Sequence, residues 1–155
     1  MDFKDIQDKS DDIKRAVTQI ILAASDTVEM LYEVNVHKEK EFIDIYDLLG
    51  TDYGDMVPAF ISVTVDESWG MQGQIFKFRL TDKVRAHILK AGIDGVLYGW
   101  WETENKFTRR LFENFTLYKG DKLIFSCCTH ELPFYPALAE INDELAPEIL
   151  KVINK

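Results

Sequence analysis

Thr27-Val28-Glu29-Met30-Leu31-Tyr32-Glu33-Val34-Asn35-Val36 decides the fold class. Val28, Met30, Tyr32, Val34 and Val36 occupy every second position, with Glu29, Glu33 and Asn35 between them and only Leu31 out of step. Side chains alternate across a strand with period two, so the stretch reads as a half-buried β-strand. The rival is a helix running through Val28 and Leu31, with Asp26 and Glu29 as a capping box. It leaves the alternation unexplained.

On the N-terminal side the period changes. Ile13, Val17, Ile20, Ile21 and Ala24 share one face at helical spacing. Ser10 offers a cap, and Asp11 and Asp12 put negative charge at the positive end of the helix dipole. A helix ending near Ser25-Asp26 is expected.

On the C-terminal side, His37-Lys38-Glu39-Lys40 reads as a polar turn into a second strand over 42–46, although Phe42, Ile45, Tyr46 and Leu49 also suit a helix. A loop over 50–55 follows. Next comes a strand with Val57, Ala59, Ile61, Val63 and Val65 facing one way and Ser62 and Thr64 the other. After a glycine-flanked loop over 66–73 that holds Trp69, residues 75–80 form a strand with Phe76, Phe78 and Leu80 on one side. Thr81 caps a helix that carries a buried stripe of Val84, Ile88 and Ala91 and ends at Gly92.

Strands are expected over 96–103 and 107–118, the latter with an alternative helical start at Phe107, Leu111 and Phe115. Lys119-Gly120-Asp121 is a tight hairpin signal leading into a strand over 123–129. A last helix opens at Pro136, with Leu138, Ile141, Leu145, Ile149 and Val152 at helical spacing. Pro147 must kink or restart it.

Consecutive strands joined by short turns imply pairing between neighbours. The expected fold is therefore α+β: a mainly antiparallel sheet with an N-terminal, a central and a C-terminal helix packed on one face. No repeat, low-complexity tract or linker composition divides the 155 residues, so residues 1–155 read as a single domain.

The formal charge of −9 is unevenly placed. Residues 1–55 carry −8, residues 56–130 carry +2 and residues 131–155 carry −3. A negative field disfavours nucleic acid, whose phosphates need basic stripes, and mildly favours basic protein partners or cations. Solubility alone accounts for such a charge in most cytosolic proteins. No stretch is long and apolar enough for a membrane span, and the N-terminus lacks the layout of a signal peptide. Adjacent Cys127 and Cys128 are poorly placed to bond each other and do not resemble a secreted disulfide framework. A cytoplasmic location is the expectation.

Motifs for cofactors and metals fail on spacing. Cys127, Cys128, His130 and Glu131 cluster in sequence, but a thiol enzyme needs Cys and His in hydrogen-bond reach. On a strand, Cys128 and His130 sit roughly 7 Å apart and point the same way. Two adjacent thiols and three histidines fall short of a structural zinc set. Asp44, Asp47, Asp52 and Asp55 lack the alternate spacing of a calcium loop. Gly70 and Gly73 are followed by no phosphate-binding Lys-Ser/Thr pair. No cofactor or metal is implied.

Contact surfaces are a better match. Trp69 on its loop, Trp100 and Trp101 on opposite faces of one strand, and Lys77 and Arg79 opposite Phe76 and Phe78 are candidate binding residues. The bland alternatives are a Trp69 lid on the core and a solvated sheet face whose cations pair with the acidic N-terminal third. The expected function is a non-catalytic protein-binding module working through an open sheet face or an acidic edge. Immunity proteins, antitoxins and phage or mobile-element accessory proteins share this general make-up, by analogy of fold alone. The alternative is a small-molecule binder or enzyme with a pocket drawing on Cys128, His130, Glu131, Trp101 and His87.

Overall fold

Val28 and Met30 are buried to the last few per cent, as a period-two strand with one covered face requires. They lie on β1 (Thr27–Val34), the middle of a six-stranded antiparallel sheet. The computed structural model describes residues 4–34, 58–66, 72–97, 114–128 and 140–155. Within them the remaining strands are β2 (Phe60–Asp66), β3 (Gln72–Arg79), β4 (Asn114–Lys119), β5 (Lys122–Cys128) and β6 (Glu140–Ile141). The sheet order is β2-β3-β1-β4-β5-β6.

Directly opposed residues share a sheet face. Val28 stands opposite both Phe78 and Leu117, and Met30 opposite Phe76 and Phe115. Leu117 in turn opposes Phe125, which opposes Ile141. One continuous apolar row thus crosses five strands, and every member is buried. Each such side chain contributes about 1.5–3 kcal/mol by leaving water.

Helices cover that row. They are α1 (Lys4–Gln7), α2 (Asp11–Ala23), α3 (Asp82–Leu97) and α4 (Ala146–Ile153), with α2 packing against both α3 and α4. Val17, Ile21 and Leu22 of α2, Val84 and Ile88 of α3, and Ile149 and Ile153 of α4 join the same core as the sheet residues. Ile6 of α1 is buried with them. The architecture is the α+β arrangement expected, with α1 as an addition that Ile6 alone did not announce.

Local chemistry explains the joints. Thr81 caps α3: its hydroxyl accepts from the Val84 amide at 3.3 Å and its carbonyl from the Arg85 amide at 2.9 Å. Ser10 holds the cap position of α2, but its side chain makes no cap bond, so Asp11 and Asp12 supply the helix-start signal. Asp26 ties three elements together. Its amide donates to the Tyr118 carbonyl at 2.8 Å, its carbonyl accepts from Leu80 at 2.8 Å, and its carboxylate accepts from the Gly120 amide at 3.0 Å. Gly120 sits at φ +58° in the two-residue turn between Lys119 and Lys122, a conformation costly for residues with a Cβ.

Three expectations need correction. The central helix runs past Gly92 to Leu97, so Val96 and Leu97 do not begin a strand. A glycine inside a helix costs only about 1 kcal/mol against Ala, and Ile93, Val96 and Leu97 continue the helical spacing of Leu89 beyond it. The second correction concerns Ile141, which belongs to a strand rather than the last helix. It opposes Phe125, and the Asn142 amide donates to the Ile124 carbonyl at 2.9 Å. The helix restarts after a 3-10 turn at Asp143–Leu145, with Pro147 in its first turn, where no donor is missed. Third, the loop expected over 66–73 is shorter, since Asp66 ends β2 and Gln72 and Gly73 open β3. The strand expected over 42–46, the loop over 50–55, and the segments 98–113 and 129–139 lie outside the described residues.

Candidate interaction surface

On the second face of the sheet, beside the apolar pair Leu31 and Ile75, the charged and hydroxyl groups around Glu29 contact one another. Glu29 opposes Lys77 on one side and Thr116 on the other, and Thr116 opposes Ser126. Lys77 Nζ lies 3.3 Å from Glu29 Oε1 and 5.6 Å from the centre of the Tyr118 ring. The Thr116 and Ser126 hydroxyls are 3.1 Å apart. Tyr118 is held above its ordinary pKa of 10.0, chiefly by burial and then by the charge of Glu29 and the hydrogen bond to it. These groups satisfy one another.

The sequence-predicted residues divide accordingly. Lys77 faces away from Phe76 and Phe78 as expected, and it pairs with Glu29, an acid of the N-terminal third. Arg79 is exposed on the same face, opposite Thr27. Arg85, six residues on from Arg79, turns elsewhere. Its guanidinium donates through Nη1 to the Leu22 carbonyl and through Nη2 to the Ser25 carbonyl at 2.9 Å, at the C-terminal end of α2. The basic residues therefore do not converge on one anion site. Cys128 closes β5 opposite Asn114, while Cys127 is buried in the core opposite Phe115. Trp69, Trp100, Trp101, His130 and Glu131 lie outside the described residues. Among the described residues no group of three or more His, Cys, Asp or Glu side chains is placed to hold a metal ion. Nor is any helix among them long and apolar enough to cross a membrane.

The surface that stands out lies on the strand whose apolar residues the sequence put on one face. Ile61, Val63 and Val65 are 40 %, 45 % and 52 % exposed, whereas Ala59 at the same end of the segment is buried. Val63 opposes Phe76 and Val65 opposes Gln74, both buried, so the two valines lie on the helix-covered face at its outer margin. A register shift between Phe60 and Ser62 marks a bulge at Ile61, which breaks the single apolar row that strict alternation predicted. Phe60 remains anchored, edge-to-face on Phe78 at 5.9 Å. Among the described residues β2 pairs only with β3, leaving its other edge unpaired by them. Alternation reports which residues share a face, not whether an element covers it, so no local signal distinguished these valines from core ones.

Comparison with family models, with curated proteins and with solved structures finds no match to this chain.

Proposed function

We propose that this chain is a non-catalytic protein-binding module, folded as a single domain, whose contact surface is the β2 edge. One observation carries the reading: a seven-residue strand, terminal among the described residues, that leaves Ile61, Val63 and Val65 exposed. Proteins blunt exposed edges with charges, prolines or very short strands, because unpaired amides and carbonyls recruit other chains. The opposite edge follows that rule, since β6 has two residues. Residues 62–65 of β2 follow none of it, being Ser, Val, Thr and Val. An edge left open in this way suits strand addition, in which backbone hydrogen bonds give affinity and alternate side chains give selectivity.

The test is capture from native lysate with the wild-type chain and with Val63→Gln and Thr64→Pro variants, each checked for folding by circular dichroism. A partner that binds the wild-type chain and is lost with both variants supports the reading. A partner held equally by all three moves the interface elsewhere and ends it.

A further inference from the structure

We draw no further inference here: the strongest candidate, the exposed edge of β2 at Ile61, Val63 and Val65, belongs to the surface already described, and nothing in the structure shows what covers it.

Discussion

Replacing Arg85 by Met should destabilise the chain by about 2–3 kcal/mol. Arg85 reaches from α3 to the C-terminal end of α2 and donates to the Leu22 and Ser25 carbonyls. That end of a helix carries the negative pole of its dipole, and α2 has no basic residue of its own in its last turn. A hydrogen bond from a charged donor is worth about 1.5–3 kcal/mol, and removing it leaves the acceptor to find water. Arg85 is half-buried, so water reaches part of the site and the two bonds together fall short of twice that figure. Met keeps the stem and most of its packing, which isolates the guanidinium. With a urea m-value of about 2 kcal/mol/M for a domain of this size, the midpoint should fall by about 1–1.5 M at constant m. Arg85→Lys, with a point charge but no fork, should lose about half as much. A midpoint shift below about 0.3 M for Arg85→Met would refute the strut that joins α2 to α3.

The remaining predictions probe the core, the hairpin and the polar face. Phe78→Ala should cost about 3–5 kcal/mol in urea unfolding, because the ring is wholly buried at the junction of β1, β2 and β3. Gly120→Ala should cost about 1–2 kcal/mol through backbone strain alone, since an added Cβ there meets no atom within 4 Å; a neutral result would contradict the left-handed turn. Tyr118 should titrate above 10.0 when followed by absorbance as the difference between wild type and Tyr118→Phe, and Glu29→Gln should lower it part of the way. Because its folded pKa lies above the unfolded one, the stability it contributes is complete below pH 10 and fades as pH rises through the folded value. An unchanged titration in Glu29→Gln would contradict the contact between the two groups.

Much of this fold was legible because its signals are local. The alternation of Val28 and Met30, the row of Phe76, Phe78 and Leu80, the Thr81 cap and the Gly120 turn each depend on neighbours within a few residues. The misses depend on distant partners. Ile141 fits a helical stripe until β5 offers it a strand opposite Phe125. Gly92 reads as a stop until the apolar spacing beyond it is weighed against a modest glycine penalty. The candidate surface was the least legible part. Val63 and Val65 carry the same pattern as core residues, and only the sheet order makes β2 terminal among the described residues. Lys77 was legible as an exposed-face cation, but its pairing with Glu29 required β1 and β3 to be neighbours. The candidates Trp69, Trp100, Trp101, His130 and Glu131 fall outside the described residues.

Hydrogen–deuterium exchange at the amides of β2 in the free chain addresses the docking edge most directly. The alternate amides that point away from β3 should exchange at least tenfold faster than those bonded to β3 and than the amides of β4, which pairs on both sides. Protection complete at every β2 amide would contradict the open edge.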